Sequence, residues 1–165
     1  DIQFLATKFA KKKMNNIVVV APDTGAAKTA KRFADAVGGE LAIIHKVRTA
    51  HNVSEVSHVI GDVADKTCII YDDLIDTAGT VVNAKEALLR KGANDNVYLV
   101  ATHPVFSDPA VSRLKAAKFQ EVVVINTIPL PKENQFEGLK VLSAAPLLAM
   151  TISNIHNAKS VSSVF

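Results

Sequence analysis

Three aspartates lie close together in the middle of the chain, beside a run of small and hydroxyl-bearing residues. Asp72 and Asp73 directly follow an apolar run over 67–71, and Asp76 opens a small turn before a predicted helix. The turn continues with Thr77, Ala78, Gly79 and Thr80. Such a turn at a helix N-terminus offers backbone N–H groups and the positive end of the helix dipole to an anion. Carboxylates beside an anion need another partner, and sugar hydroxyls or a divalent cation suit them, so the pattern indicates a sugar phosphate.

A purely structural interpretation of these residues is also open. Asp76 or Thr77 could serve only as the N-cap of the helix predicted over 80–90. Asp72 and Asp73 could then be solvated acids at a strand end. Three acids within five residues, directly after an apolar strand, favour the ligand site instead.

Two cations follow another predicted strand, which covers 41–44. Lys46 and Arg48 are two residues apart, at the start of an irregular polar stretch over 47–52. Lys46 and Arg48 could reach the same anion, or they could be exposed cations on a surface loop.

Asp23, His45 and His103 are single candidates that follow or end predicted strands. An aspartate in the position of Asp23 is often only the N-cap of the following helix, here predicted over 26–37. His45 and His103 could act in catalysis, or they could be structural residues.

Short apolar strands alternate with amphipathic helices along the chain. Strands are predicted over Ile17–Ala21, 41–44, 67–71, 96–101, Glu121–Ile125 and Leu139–Leu142, and helices over 26–37, 80–90, 109–117 and 145–155. This alternation predicts an α/β fold, with a mostly parallel β-sheet and helices on both faces. Ligands of such sheets bind at the carboxyl ends of the strands. The candidate residues named above follow those ends.

The composition fits one folded domain and narrows the classes of partner. The chain has 165 residues, of which 48% are apolar and 21% charged, a size that supports a hydrophobic core. No apolar run approaches the ~18 residues of a membrane span, and no secretory signal is recognisable. The single cysteine, Cys68, fits a reducing compartment. We therefore expect a cytoplasmic protein without a membrane partner.

The net charge of +3 comes from one short basic segment. Lys8, Lys11, Lys12 and Lys13 lie within six residues, and the rest of the chain is slightly acidic. A nucleic-acid-binding face would be broader and more clustered. The segment is typical of a solvated helix C-terminus, so we expect no nucleic-acid partner.

The stretch over 72–80 resembles the phosphoribosyl-diphosphate loop of the type I phosphoribosyltransferase fold. Its flanks are similar to ribose-phosphate pyrophosphokinases (PRPP synthetases). The matching segments are VAPDTG (20–25), IHKVR (44–48), VIGDV (59–63), ATHPVFS (101–107), NTIP (126–129) and IHNAKSVSSVF (155–165). This resemblance covers 17–165 and only the C-terminal half of that family. It implies that residues 1–165 form one phosphoribosyltransferase-like domain, and that an N-terminal half carrying much of the ATP site precedes Asp1.

The resemblance also implies an activity. The diphosphoryl group of ATP would pass to the 1-hydroxyl of ribose 5-phosphate, giving PRPP and AMP for nucleotide biosynthesis, with Mg²⁺ as cofactor. The loop over 76–80 would bind the 5-phosphate, and Asp72 and Asp73 would bind ribose hydroxyls. Lys46 and Arg48 would lie on a flexible catalytic loop, and Arg48 would also bind the substrate. His45 and His103 would be structural, because the matching pattern gives them no part in the chemistry.

Further roles follow from the same resemblance. The diphosphate loop would consist of Asp23, Thr24, Gly25 and Ala26, with Asp23 as the Mg²⁺ ligand. Ser160, Ser162 and Phe165 would belong to an allosteric site for phosphate or ADP at subunit contacts. The protein would be a homo-oligomer, a hexamer as in the family, and this chain alone would be inactive.

The sequence also departs from the family pattern. Ala21, Ala26 and Thr29 stand at the places of a serine, a second glycine and an arginine. Asp108 replaces a frequent glycine, and Ala158 and Lys159 replace a frequent Gly-Glu pair. Two other functions therefore remain open: a nucleobase phosphoribosyltransferase, for which no hood segment is visible, and a non-catalytic regulatory subunit.

Overall fold

The computed structural model describes residues 2–10, 12, 14–47 and 56–164, and seven strands of this part form one sheet. In chain order the elements are α1 (Ile2–Ala10), β1 (Ile17–Ala21), α2 (Ala27–Val37), β2 (Glu40–Val47), β3 (Val56–Ile60), β4 (Thr67–Ile75), α3 (Gly79–Arg90), β5 (Tyr98–Pro104), α4 (Ala110–Ala117), β6 (Glu121–Ile125), β7 (Leu139–Leu142) and α5 (Ala145–His156). Short 3₁₀ helices cover Lys132–Asn134 and Ser162–Val164.

The strand order is β3-β2-β1-β4-β5-β6-β7. Every neighbouring pair is parallel except β2 and β3, which are antiparallel. The predicted mostly parallel sheet is therefore confirmed. The sequence did not predict β3, because Ser57 and His58 interrupt its apolar residues and remove the signal of a buried strand.

Helices cover both faces of the sheet, as the alternation of elements predicted. On one face α1 and α2 pack together over β1 and β4, where Phe9, Phe33 and Tyr71 are buried. Phe33 stacks on Tyr71 with ring centroids 4.8 Å apart. On the other face α3 and α4 pack together, and Leu88 and Leu114 are buried there. The two faces are thus anchored by separate apolar clusters on either side of one sheet.

Three strands extend differently from their predictions. β4 continues to Ile75, so Asp72 and Asp73 lie within the strand rather than after it, because β5 keeps pairing with it up to Pro104. β5 itself begins at Tyr98. β2 runs from Glu40 to Val47, because β3 supplies an antiparallel partner for its last residues.

The C-terminal helix α5 differs from the other helices in its burial. None of its residues is buried, and Leu148, Ile152 and Ile155 are each more than half exposed. The stretch over 129–138 joins β6 to β7 at the surface, as predicted. Within the described parts of the chain, no helix has the length and apolar character needed to cross a membrane.

Candidate functional site

The candidate residues meet at one edge of the sheet. β1, β2 and β4 are neighbours and run parallel, with Ala21 opposite Ile43 and Val20 opposite Ile70. Their carboxyl ends therefore lie side by side, with adjacent strands ~5 Å apart. Asp23 follows β1, Lys46 lies near the end of β2, and Asp72 lies near the end of β4. The sheet topology brings together residues that lie far apart in the sequence.

The residues over 76–80, hereafter the 76–80 loop, turn the chain from β4 into α3. The helix begins at Gly79, with Ala78 at the N-cap and no side chain capping the helix. The interpretation of Asp76 or Thr77 as an N-cap is therefore wrong, as is a helix start at Thr80. The first N–H groups of a helix have no partner within it, so this end of α3 offers donors to an anion.

Ala78 gives the loop its shape. Its backbone is left-handed, with φ 62°, and its side chain is 5% exposed. A left-handed residue other than glycine costs about 1–2 kcal/mol. By contrast, a Cβ built on Gly79 would lie 3.4 Å from Nη1 of Arg113, an ordinary contact. Packing within the described chain therefore does not demand glycine at position 79.

Three cavities adjoin this edge of the sheet, and Asp73 lines all of them. One of about 330 Å³ contains the whole 76–80 loop together with Asp23 and Asp72. A second, of about 250 Å³, lies over the loop that follows β1. The third, of about 490 Å³, lies on the α1 and α2 side of the sheet and includes Arg32 and His103.

Asp72 and Asp73 are held by local hydrogen bonds but belong to opposite faces of β4, because side chains alternate along a strand. The N–H of Asp73 donates to Oδ1 of Asp72 at 2.9 Å, and the N–H of Leu74 donates to Oδ1 of Asp73 at 2.8 Å. Burial raises the pKa of Asp72 to about 7, and the negative charges of Asp73 and Asp23 contribute in the same direction. The site thus concentrates negative charge that a cation or hydroxyl donors would relieve.

The loop after β1 brings Asp23 towards β4. Oδ1 of Asp23 accepts a hydrogen bond from the N–H of Ala26 at 3.0 Å, just before α2. Asp23, Gly25, Ala26 and Thr29 line the same cavity as Asp72, and Thr24 is exposed. Thr29, at the place of the family's arginine, therefore leaves this cavity without that cation.

Carboxylate oxygens near a phosphate site are the ligands that Mg²⁺ prefers, since this ion is commonly held by one or two carboxylates plus substrate phosphates. Asp23 and Asp72 fit that donor set, because they line the same cavity and the charge of Asp23 is near enough to raise the pKa of Asp72. In the described residues, no group of three or more histidine, cysteine, aspartate or glutamate side chains is arranged to hold a metal. The residues thus fit a cation shared with a bound phosphate.

The structure does not describe every predicted residue. Arg48 and Phe165 lie outside the described residues, so their roles stay predictions. Lys46 belongs to β2, where its backbone pairs with Ser57 of β3. Lys46 therefore lies near a strand end and not on a loop as predicted. Ser160 and Ser162 lie at the exposed C-terminal end, where the N–H of Ser162 donates to Oγ of Ser160 at 3.2 Å.

The structure shows the surroundings of the two histidines and the cysteine, and the structural roles of His45 and His103 stay predictions. Oγ1 of Thr127 donates to the carbonyl of Thr102 at 3.1 Å, so Nδ1 of His103, 2.9 Å away, donates to Thr127. His45 pairs with His58 in the sheet and is exposed. Cys68 is fully buried, and burial raises its pKa to about 12, which leaves it as an unreactive thiol.

Arg113 is one residue of this region that the sequence analysis missed. Its Nη1 donates to the carbonyl oxygen of Thr77 at 3.0 Å, across 36 residues of sequence. An arginine in a short helix after the neighbouring strand could have been noticed, since α4 follows β5 and β5 pairs with β4. The sequence alone does not reveal which of the helix's residues faces the loop.

Lys12, which belongs to the basic segment, forms an ion pair with another residue of the chain. Its Nζ donates to Oε2 of Glu121 at 2.6 Å, and Lys8 is 3.9 Å from the same carboxylate. Lys8 lies in the last turn of α1, as the helix-end interpretation predicted. Lys11 and Lys13 lie outside the described residues.

Comparison with known proteins finds one family model and several relatives that are similar to this chain. The family model described as "Phosphoribosyl synthetase-associated domain" matches residues 53–165. The ribose-phosphate pyrophosphokinase of Synechococcus elongatus is 51% identical over 156 residues, which are 93% of this chain and 47% of that protein. The enzyme of the same name from Caldanaerobacter subterraneus is 49% identical over 162 residues, 98% of this chain and 51% of that protein.

Two solved structures are also similar to this chain. The phosphoribosylpyrophosphate synthetase from Mycobacterium smegmatis has a TM-score of 0.81 and 41% identity, and the match covers 95% of this chain and 49% of that one. The APRTase from Giardia lamblia, at 14% identity and a TM-score of 0.61, covers 74% of this chain and 75% of that one and shares the fold alone. The chain spans about half the length of the curated relatives it matches.

Proposed function

The chain belongs to the phosphoribosyl synthetase-associated domain family, and from this premise we propose that it is the ribose-5-phosphate-binding half of a ribose-phosphate pyrophosphokinase. The reaction joins the 1-hydroxyl oxygen of ribose 5-phosphate to the β-phosphorus of ATP. The bond between that phosphorus and the α–β bridging oxygen breaks, AMP leaves, and the hydroxyl proton is released. The observation that carries the proposal is the uncapped N-terminus of α3 beside Asp72 and Asp73 in one cavity.

In this proposal the 76–80 loop binds the 5-phosphate. The N–H groups at the start of α3 and the hydroxyls of Thr77 and Thr80 donate to phosphate oxygens, and the helix dipole favours the negative charge. The cavity of about 330 Å³ contains all five loop residues. This loop fixes the anionic end of the substrate and so determines where the sugar ring lies.

The two aspartates of β4 orient the ribose. Carboxylate oxygens accept hydrogen bonds, so Asp72 and Asp73 receive hydrogen bonds from ribose hydroxyls. Asp72 and Asp73 belong to opposite faces of the strand, but both line the cavity with the loop. A sugar held at its phosphate and at its hydroxyls has a fixed C1 position, which is what transfer to the 1-hydroxyl requires.

In this proposal, the residues that act on the transferred diphosphoryl group lie at or after the ends of the neighbouring strands β1 and β2. Asp23 after β1 would hold Mg²⁺, which when bound neutralises phosphate charge during transfer. Lys46 at the end of β2 and Arg48 beyond it would place cations near the transferring group, on the same sheet edge as Asp72. Fixed positive charge near developing negative charge stabilises the transition state more than the ground state.

The remaining parts of the proposal concern the whole protein. ATP, and phosphate or ADP as effectors at Ser160, Ser162 and Phe165, come from the family resemblance, as does a homo-oligomeric assembly. Residues 1–165 would act as one phosphoribosyltransferase-like domain beside a second half. The exposed apolar side chains of α5 support an assembly, because Leu148, Ile152 and Ile155 lie on one face of that helix.

An AMP-release assay of the full-length protein tests this proposal. The protein is supplied with ATP, Mg²⁺ and ribose 5-phosphate, and we expect one AMP released for each PRPP formed. A nucleobase phosphoribosyltransferase would instead release pyrophosphate from PRPP and a base. A regulatory subunit would release no AMP unless a catalytic partner were added, and either of these results would contradict the proposal.

A further inference from the structure

Arg113 contacts the 76–80 loop from the side opposite its cavity. Nη1 of Arg113 donates to the carbonyl oxygen of Thr77 at 3.0 Å. A Cβ on Gly79 would lie 3.4 Å from the same nitrogen. Thr77, Ala78 and Gly79 all line the cavity, whereas Arg113 does not. The guanidinium therefore lies behind the segment whose central residue, Ala78, has the left-handed backbone.

This contact fixes the direction of an N–H group. The carbonyl of Thr77 and the N–H of Ala78 belong to one planar, trans peptide, so they point in opposite directions. When Arg113 holds the carbonyl on its own side, the N–H of Ala78 is directed to the other side, where the cavity lies. A donor fixed in this way costs little reorganisation when an anion binds.

The charges of the cavity explain why a cation is needed there. Four aspartates line it, and of the residues that the structure describes no lysine, arginine or histidine does. A dianionic phosphate entering this cavity meets Asp72, Asp73 and Asp76 close by. The guanidinium of Arg113 offsets part of that negative charge through the thickness of one backbone segment.

The position of Arg113 is set by packing rather than by the loop itself. On its own helix, Ala110 and Leu114 are buried in the core. At the far end of α4, Nζ of Lys85 in α3 donates to the carbonyls of Ala117 and Lys118 at 2.8 and 2.6 Å. These hydrogen bonds hold α4 against α3 independently of Arg113. The backbone that carries Arg113 is therefore fixed whether or not its guanidinium contacts the loop.

We infer that Arg113 is a positioning residue for phosphate binding, which directs the N–H of Ala78 into the cavity and lowers the electrostatic cost of placing an anion there. This inference rests on the proposed function of the 76–80 loop. Arg113 touches the loop and not the phosphate, so it acts on binding in the ground state and the transition state alike. Its loss should therefore raise KM for ribose 5-phosphate and leave kcat nearly unchanged.

The test compares Arg113→Ala and Arg113→Lys with Arg90→Ala in the full-length protein. Arg90 is exposed at the other end of α3 and pairs with Glu86, so its variant is a matched control for the loss of one surface cation. Calorimetry measures the dissociation constants of ribose 5-phosphate and of inorganic phosphate, and steady-state assays give KM and kcat. Thr80→Ala serves as the reference for a damaged loop.

We expect Arg113→Ala to bind ribose 5-phosphate about tenfold more weakly, because the N–H of Ala78 is no longer held towards the cavity and the nearby positive charge is lost. KM should rise by a similar factor, kcat should stay within about twofold, and Arg113→Lys should restore part of the affinity because it keeps the charge. Arg90→Ala should resemble the wild type.

Three results would overturn the inference. The first is an unchanged affinity in Arg113→Ala while Thr80→Ala is weakened. The second is an equal loss in Arg90→Ala, which would mean a general effect of surface charge. The third is a lower unfolding temperature with no change in affinity, which would mean a purely structural contact. If Thr80→Ala also bound normally, the proposed function of the loop would fail, and this inference with it.

Discussion

Oδ1 of Asp72 accepts a hydrogen bond from the backbone N–H of Asp73 at 2.9 Å, which fixes the Asp72 carboxylate against the backbone of β4. Asp72 is half-buried, and its negative charge lies near those of Asp73 and Asp23. The ligand-free protein must tolerate this repulsion between carboxylates. The repulsion therefore lowers its free energy of unfolding. The consequence can be measured through the pH dependence of unfolding.

The first prediction concerns the pKa of Asp72, which the folded protein raises from its ordinary value of 3.8 to about 7. Since the folded state holds this proton more tightly than the unfolded state, stability falls as pH rises from about 4 to about 7. Asp72→Asn cannot ionise and escapes this loss. We expect the variant to be more stable than the wild type at pH 8, by about 1 kcal/mol after allowance for solvent screening, with the difference disappearing near pH 4.

Thermal unfolding in the presence of EDTA measures this difference across the pH range. Asp62→Asn is the control, because Asp62 is exposed and its hydrogen bond to Lys66 lowers its pKa. That control should gain nothing at pH 8. A constant difference between Asp72→Asn and the wild type from pH 4 to pH 8 would show that the pKa of Asp72 is not raised.

The second prediction concerns Gly79, where an added methyl group would point towards Arg113 and so away from the cavity. A Cβ there makes ordinary contacts at 3.4 Å and 3.9 Å with Arg113 and Thr77. Gly79→Ala should leave stability unchanged or raise it by about 0.4–1 kcal/mol, because alanine restricts the unfolded chain. Ribose 5-phosphate affinity, measured by calorimetry, should be unchanged, because the methyl group points away from the cavity. A weakened affinity would mean that the methyl group reaches the ligand and that Arg113 does not lie behind the loop.

The third prediction separates the two candidate catalytic cations. Lys46→Ala should lower kcat by about 100-fold with little change in KM, because a cation on the transferring group acts chiefly in the transition state. Arg48→Ala should change both constants, because a guanidinium also holds phosphate in the ground state. Lys28→Ala, an exposed lysine on α2, is the control for steady-state assays of the full-length protein. A rise in KM with kcat preserved in Lys46→Ala would make Lys46 a substrate anchor only.

The fourth prediction concerns the 165-residue chain on its own. The 76–80 loop is built from β4 and α3, which pack within this chain. The isolated chain should therefore fold, bind ribose 5-phosphate or inorganic phosphate weakly, and make no PRPP, since the ATP site needs the second half. Circular dichroism, calorimetry and AMP release check the three parts. PRPP synthesis by the isolated chain would contradict the division of the site.

The sequence predicted the elements whose residues carry a local signal. Ile17–Ala21 and Glu121–Ile125 are runs of β-branched residues, and the structure has strands at those bounds. The α/β class followed from the alternation of such runs with helices. The acids of the candidate site were visible because three aspartates within five residues are unusual next to an apolar run.

The features that the sequence did not predict depend on contacts between residues that lie far apart in the chain. β4 continues through Asp72 because β5 pairs with it, and that pairing leaves no local signal. β3 exists because β2 offers an antiparallel edge. Arg113 reaches Thr77 only through the packing of α4, and the left-handed backbone of Ala78 has no marker in the residue type.

The most direct test of the account is the dissociation constant of ribose 5-phosphate, measured by calorimetry on the full-length protein and its Thr80→Ala and Thr77→Ala variants. Each variant removes a polar group from the cavity around the loop. We expect the wild type to bind ribose 5-phosphate far more tightly than ribose, and each variant to lose about 1–3 kcal/mol of binding free energy. Thr151→Ala, on α5 away from the cavity, should bind as the wild type does. Equal affinity for ribose and ribose 5-phosphate, or unchanged affinity in both loop variants, would contradict the claim that the 76–80 loop holds the phosphate.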